Sequence, residues 1–235
     1  ILNGVKQFVT TGDVADIIIV FAKIVEKDEI LGLSPFVITK DMPGFKVGKK
    51  ERKMGIRASS TAEIILENCH VPDDRLLGKP GDGFKILLDF LNDSRPNIAA
   101  QAIGLAQAAF EAAVTYANQR VQFGRRIIEF QGIQFMIAEM ATRIMGAWQS
   151  VLHVARLMDQ GDKDYSAEAS MAKLLASEVA EKVASDAVQI HGGYGYSREY
   201  AVERIFRDSK ITQIYEGTSQ IQKIVIGRHF TEKKH

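Results

Sequence analysis

Residues 133–158, IQFMIAEMATRIMGAWQSVLHVARLM, set Ile133, Met136, Ile137, Met140, Ile144, Ala147, Trp148, Val151, Ala155 and Met158 at steps of three and four. Such steps return apolar side chains to one face of an α-helix, whereas a strand would scatter them over both faces. The stretch predicts a long amphipathic helix that buries one side against partners, and partners stand on both flanks. Phe84 to Gln119 reads as another long helix, which Arg95-Pro96 is expected to bend because proline removes a backbone donor. Ala167 to Ile190 is a third, rich in alanine, with Ser177 and Glu178 among its polar positions. Ser219-Gln220-Ile221-Gln222 announces a last one, a hydroxyl followed three residues later by Gln being a capping-box pattern. Small residues at Ala99, Ala100, Ala102, Gly104 and Ala106 permit close helix approach, so the expected unit is a four-helix bundle.

Upstream of Phe84 the period is that of strands. Val5 to Thr10 alternates, Asp16 to Ile24 is a β-branched run, and Pro35–Thr39 and Thr61–Leu66 are two further candidates. Gly12-Asp13, Gly32, Met42-Pro43-Gly44 and Met54-Gly55 punctuate them as turns. Short strands at this spacing predict a small antiparallel sheet or barrel. Lys79-Pro80-Gly81-Asp82-Gly83 reads as the linker, giving a β domain over residues 1–80 and a helical domain over 81–235. The fold class is therefore α+β, in more than one domain.

Of the 235 residues, 46% are apolar and 25% charged, which is globular composition. Thirty basic side chains against 29 acidic ones give a net charge of +1, so no electrostatic footprint for nucleic acid is present. Cys69 is the one cysteine and has no internal disulfide partner. The longest wholly apolar run, Ile17 to Ala22, is far shorter than the roughly 18–20 residues of a spanning helix, so no membrane partner is expected. The chain opens on Ile1-Leu2 directly into a strand pattern, with no initiator Met, signal peptide or transit segment, and reads as a fragment of a longer protein.

Most common catalytic signatures are missing. There is no G-x-S-x-G elbow, Walker loop or H-E-x-x-H. His70, His153, His191, His229 and His235 are scattered, so no metal site is expected. Gly192-Gly193-Tyr194-Gly195 follows a helix and not a strand, which fits a C-cap, although its amides would also suit a phosphate. Glu216 lies between an aliphatic–aromatic run and a glycine, just ahead of a capped helix. Two readings stand open: an exposed carboxylate favoured by the helix dipole, or a carboxylate in an apolar pocket serving as general base. In the second, Gly217 lets a substrate lie against the backbone.

Tyr215-Glu216-Gly217-Thr218-Ser219-Gln220-Ile221-Gln222 resembles the catalytic-glutamate motif of the acyl-CoA dehydrogenase family. Four more stretches agree in the same order. Asn3-Gly4-Val5-Lys6 with Phe8-Val9-Thr10 resembles the flavin-contacting strand, and Lys53-Met54-Gly55-Ile56-Arg57 with Ser60-Thr61 a middle-domain motif. Arg120-Val121-Gln122-Phe123-Gly124 is similar to the family's R-x-x-F-G, and Gln189-Ile190-His191-Gly192-Gly193-Tyr194-Gly195 to its Q-I-x-G-G-x-G. The resemblance implies a partial middle β-barrel followed by the C-terminal four-helix bundle. The family's N-terminal helical domain is absent, as is the first part of the barrel with its T-E-P-x-x-G-S loop.

The same resemblance implies FAD as cofactor and an acyl-CoA substrate of short or medium chain. Glu216 would take the α-proton while a hydride leaves the β-carbon for the flavin, giving a trans-2-enoyl-CoA, with electrons passed to an electron-transfer flavoprotein. The backbone N–H of Glu216 would help hold the thioester oxygen. Phe8 would pack on the flavin ring, with Val9 and Thr10 at its polar edge. Arg120 would pair with the pyrophosphate, supported by Phe123, and together with Gln189, Gly192 and Gly193 would serve the neighbouring subunit of a dimer or tetramer. Thr218 and Gln220 would reach the adenine side, with Gln131 as a further contact. Asn92, Asp93 and Arg95 would touch CoA, Arg228 would stand near its nucleotide end, and Tyr215 and Gly217 would flank the acyl group. Glu51 would meet the electron-transfer flavoprotein. Ser94 stands where some relatives carry the base, which leaves Glu216 alone in that role. The alternatives are an acyl-CoA oxidase on the same scaffold and a non-catalytic assembly or binding module without FAD. The implied compartment is a bacterial cytoplasm or a mitochondrial matrix.

Overall fold

The computed structural model describes residues 1–162 and 164–232. The chain divides into two compact units, Ile1–Phe90 and the remainder from Leu91. The division falls ten residues beyond the linker read from the sequence, inside the first long helix.

The first unit holds five strands: β1 (Leu2–Thr10), β2 (Ile17–Glu26), β3 (Glu29–Thr39), β4 (Phe45–Lys50) and β5 (Thr61–Cys69). They form two antiparallel sheets, β1-β5-β4 and the hairpin β2-β3, and not one closed barrel. The hairpin turns through Lys27 and Asp28, both with positive φ (48° and 69°), the twist that a two-residue turn needs between right-twisted strands. Leu2, Val20, Ile38, Ile64, Leu66 and Cys69 make the core. The sequence reading missed β4. Its stretch, Phe45-Lys46-Val47-Gly48-Lys49-Lys50, alternates only at Phe45 and Val47 before running into lysines, and it lies at the edge of its sheet, where lysines deter further pairing. β1 slips register against β5 between Lys6 and Val9, and Phe8 at that bulge has φ 56°.

The second unit is helical. It takes α1 (Gly83–Gln119) from Leu91 onward, then α2 (Gln131–Asp159), α3 (Ser166–His191), α4 (Ala201–Ser209) and α5 (Ser219–Glu232), with a small hairpin, β6 (Val121–Gln122) and β7 (Arg125–Arg126), between α1 and α2. Pro96 lies inside α1 without interrupting it. On α1 the buried face is Ala99, Ala102, Ala106, Ala109, Ala113 and Ala117, and α3 answers with Ala169, Ala172, Ala176, Ala180, Ala184 and Ala187. Alanine faces let backbones come close. The larger share of burial energy comes from residues such as Met140, Ile144, Val154, Val183 and Ile190, at about 1.5–3 kcal/mol for each such side chain fully buried.

Two details depart from the pattern read in the sequence. Along α2 the buried stripe is Met140, Ile144, Ala147, Val151 and Val154, while Trp148 and Met158 are largely exposed. The buried set itself steps by four, three, four and three residues, as one helix face requires, and Trp148 stands one residue off it. α1 is also long and apolar enough to cross a membrane, which a search for uninterrupted apolar runs overlooked. In this unit its alanine face is part of the bundle core.

Candidate active site

The segment between α4 and α5 holds Glu216, the candidate base. A 3₁₀ turn (Lys210–Gln213) follows α4 directly, and Gln213 ties it to α3 by donating from Nε2 to the Ser177 carbonyl at 3.4 Å. The N–H groups of Ile214 and Tyr215 both return to the Ile211 carbonyl, at 2.8 and 3.1 Å. The chain then reverses through Glu216 (φ 53°) and Gly217 (φ 91°), both left-handed. Among the described residues the Glu216 N–H has no hydrogen-bond partner, so a donor is left over at this turn.

Glu216 is half-buried, and its Oε2 accepts a hydrogen bond from Ser94 Oγ at 2.7 Å. Its surroundings are not the apolar pocket of the sequence reading. Arg95, on α1, is only 3% exposed; it donates from Nη1 to Asn92 Oδ1 at 2.9 Å and to Ser170 Oγ at 3.3 Å, while its Nε has no partner among the described residues. Burial pulls its pKa down and the Glu216 charge pushes it back up. Lys173, on α3, is fully buried and donates to the Gly217 carbonyl at 2.8 Å. Burial lowers its pKa to about 8, with Glu216 opposing and Arg95 adding to the shift. Arg95 and Lys173 are thus two enclosed cations, each drawn towards its charged form by the Glu216 carboxylate.

Asn92, Asp93 and Arg95, the residues that the resemblance assigns to CoA, make hydrogen bonds within their own unit, with Asp93 exposed and Arg95 buried. Asn92 Oδ1 is taken by Arg95 and by Ser166 Oγ, Asp93 accepts from the Tyr165 hydroxyl, and the Arg95 guanidinium is turned inward. Tyr215 is half-buried, its hydroxyl donates to Gln101 Oε1, and burial raises its pKa. The capping box also differs from its reading. The hydroxyl that caps α5 is that of Thr218, which accepts from the Ile221 N–H at 3.4 Å. Gln222 does not reach back to Ser219; its Nε2 donates to the carbonyls of Glu216 (3.2 Å) and Gly217 (3.0 Å).

A second group gathers where α1 and α3 end. Gly192 closes α3 with φ 59°, its N–H bonded to the Gln189 carbonyl, as the C-cap reading expected. Arg120 lies over the Tyr194 ring at 5.3 Å, and a pocket of about 480 Å³ opens between Arg120, Tyr116, His191, Gly192 and Gly193. Gly192 and Gly193 are exposed, so a guanidinium and backbone amides line one opening, a donor set that fits a diphosphate. Gln189 is exposed one turn earlier. Phe123 is 92% exposed at the tip of the β6–β7 hairpin, its ring edge-on to Phe130. Gln131, Gln220 and Arg228 are exposed, at the starts of α2 and α5 and near the end of α5. In the first unit the Phe8 ring is 73% exposed at its bulge, with Val9 and Thr10 following, a free aromatic face of the kind that stacks on a planar ring system. FAD has both a diphosphate and such a ring, and these residues fit it. Ser94, Ser170, Lys173 and Gln222 were not among the expected site residues. Nothing in the sequence singled them out, since Lys173 reads as one of several charged residues on α3 until its burial is seen.

The family model described as the acyl-CoA dehydrogenase middle domain matches residues 1–69, and that of the C-terminal domain matches residues 81–231. An acyl-CoA dehydrogenase of Bacillus subtilis (strain 168) is 53% identical over 229 residues, which cover 97% of this chain and 60% of that protein. Among solved structures, butyryl-CoA dehydrogenase from Megasphaera elsdenii superposes with a TM-score of 0.93 at 46% identity, covering 97% of this chain and 60% of that one. A chain in a structure described as the electron transferring flavoprotein of Acidaminococcus fermentans gives 0.95 at 51% identity, with 99% and 61% covered. The chain therefore spans about three-fifths of the length of the relatives it matches.

Proposed function

The chain belongs to the acyl-CoA dehydrogenase family, and from that premise we propose that the protein it forms part of removes hydrogen from C2 and C3 of a short- or medium-chain acyl-CoA, with Glu216 as general base. The observation that carries this is the Glu216 turn: a left-handed glutamate whose carboxylate is held by Ser94 and lies within the electrostatic reach of the enclosed cations Arg95 and Lys173. The carboxylate takes the α-proton. The Glu216 N–H is a fixed donor for the thioester oxygen, where negative charge builds as the proton leaves, and a preorganised donor of this kind contributes about 3–4 kcal/mol. FAD, when bound, supplies the acceptor for the hydride that leaves C3. Arg120 with the amides of Gly192 and Gly193 would hold its diphosphate, and Phe8 would pack on its ring.

The solved structure described as an electron transferring flavoprotein supports an electron-transfer flavoprotein as the onward partner, and the butyryl-CoA dehydrogenase likeness supports a short acyl chain and an oligomer. The bacterial relatives support a bacterial cytoplasm. The test is Glu216→Gln in the full-length protein, following loss of the yellow flavin absorbance on adding butyryl- or octanoyl-CoA without oxygen. The rate is expected to fall by about 100-fold or more with flavin content kept. Bleaching near the normal rate would remove Glu216 from the role of base, and colourless protein that cannot be reconstituted would favour a non-catalytic module. Oxygen consumption without any electron-transfer protein would favour the oxidase.

A further inference from the structure

We propose that Lys173 and Gln222 are positioning residues for Glu216: from α3 and α5 they clamp the two consecutive carbonyls of Glu216 and Gly217 and so fix the turn that aims the carboxylate. The proposal rests on Glu216 being the base and names the groups that aim it.

A left-handed conformation costs a side-chain-bearing residue about 1–2 kcal/mol, and such a residue keeps it only where its surroundings over-determine it. Glu216 is in that position at φ 53°. Three hydrogen bonds converge on its turn: Gln222 Nε2 to the Glu216 and Gly217 carbonyls, and Lys173 Nζ to the Gly217 carbonyl. Both donors are fully buried, so no water competes with them. The clamp reaches the carboxylate through geometry. The backbone angles at Glu216 set the direction of its Cα–Cβ bond, and Ser94 then fixes Oε2 at the far end.

The residue types support a directed role over simple filling of space. Around Lys173 the buried positions of α3 are Ala169, Ala172 and Ala176, and a Leu or Met there would pack without the desolvation penalty of an ammonium, several kcal/mol even when partnered. Its charged neighbours are Glu216 and Arg95, one drawing and one repelling it. Gln222 likewise leaves its Oε1 buried without a partner among the described residues. Turning the amide over would set that oxygen against two carbonyls, so the orientation is fixed by the turn it serves. A Cβ at Gly217 would come within 2.7 Å of Gln222 Nε2, which leaves that position to glycine.

The test uses the full-length, FAD-loaded protein with Lys173→Met and Gln222→Met, each replacing a donor with a side chain of similar length. For each folded variant the flavin bleaching rate at saturating butyryl-CoA is expected to fall by on the order of 10- to 100-fold, since a small misplacement of a reacting group is that costly. The half-saturating concentration should stay within about threefold, separating the turnover step from binding. Without substrate, amide hydrogen exchange of the 214–218 segment is expected to quicken by about tenfold or more. If Lys173→Met loses its melting transition, Gln222→Met carries the test alone. A folded variant with the normal rate and unchanged exchange overturns the proposal, as does a parallel loss of rate and affinity. Unfolding of both variants overturns it too, because it would assign these residues to the fold and not to the base. Glu216→Gln keeps the two readings apart: if it is inert while the folded clamp variants run normally, the base stands and the clamp falls.

Discussion

Below pH 8 the Lys173 ammonium is charged in the folded and the unfolded chain alike, and folding must strip it of water for one carbonyl and a distant carboxylate. Its proton leaves the folded protein at about pH 8 but stays on the unfolded chain until about pH 10.5. Between these values the unfolded chain binds the extra proton, so stability must rise with pH across the window. The penalty is present in full below pH 8 and gone above about 10.5, and its span is about 3 kcal/mol. Lys173→Met removes the group and with it this slope. The unfolding free energy of the full-length wild type minus that of Lys173→Met, from urea titrations at several pH values, is expected to climb between pH 8 and 10.5. A difference that stays flat would show that Lys173 is not enclosed in solution.

At the level of elements, the long helices were legible and the short ones were not. α1, α2 and α3 each repeat their apolar pattern over many turns, so the 3.6-residue period is sampled well enough to be seen in sequence alone. α4 offers only Val202 and Ile205 to the core over nine residues and is strengthened locally by the two-pronged Arg207–Glu203 pair, at 2.8 and 2.9 Å, features that read as ordinary surface charge. The strand β4 hides for the opposite reason, since its lysines mark an edge and not a buried face. What the sequence did carry was the small size of the buried face of α1, where alanine recurs at Ala99, Ala102, Ala106, Ala109, Ala113 and Ala117. Ala106 is fully buried within this face. Ala106→Leu would force three added carbons between closely spaced backbones and is expected to cost about 1–3 kcal/mol, read as a lower melting temperature of the full-length protein. An unchanged melting temperature would mean that the α1 face has room to spare.

At the scale of the molecule, the two functional regions differ in how their residues were found. Arg120, the Gly192-Gly193 pair and Glu216 with Gly217 each sit in a short contiguous motif, so each could be quoted from the sequence. The groups that act on Glu216 come from three separate helices, Ser94 and Arg95 on α1, Lys173 on α3 and Gln222 on α5, and only the packing of those helices brings them to one turn. The inward turn of Arg95 was illegible for the same reason, because an arginine reads as surface until a helix is seen to cover it. This separation of roles makes the two regions separable by experiment. Arg120→Met removes the guanidinium from the pocket beside Gly192 and Gly193 while leaving the Glu216 turn untouched. A charge-assisted pair to phosphate contributes about 1.5–3 kcal/mol, so the flavin should be held some 10- to 100-fold less tightly and be lost on dialysis that the wild type survives. Refilled with excess FAD, the variant should recover bleaching, which Glu216→Gln does not. If Arg120→Met retains its colour as firmly as the wild type, the pocket between α1 and α3 does not hold the diphosphate, and the base at Glu216 is unaffected by that result.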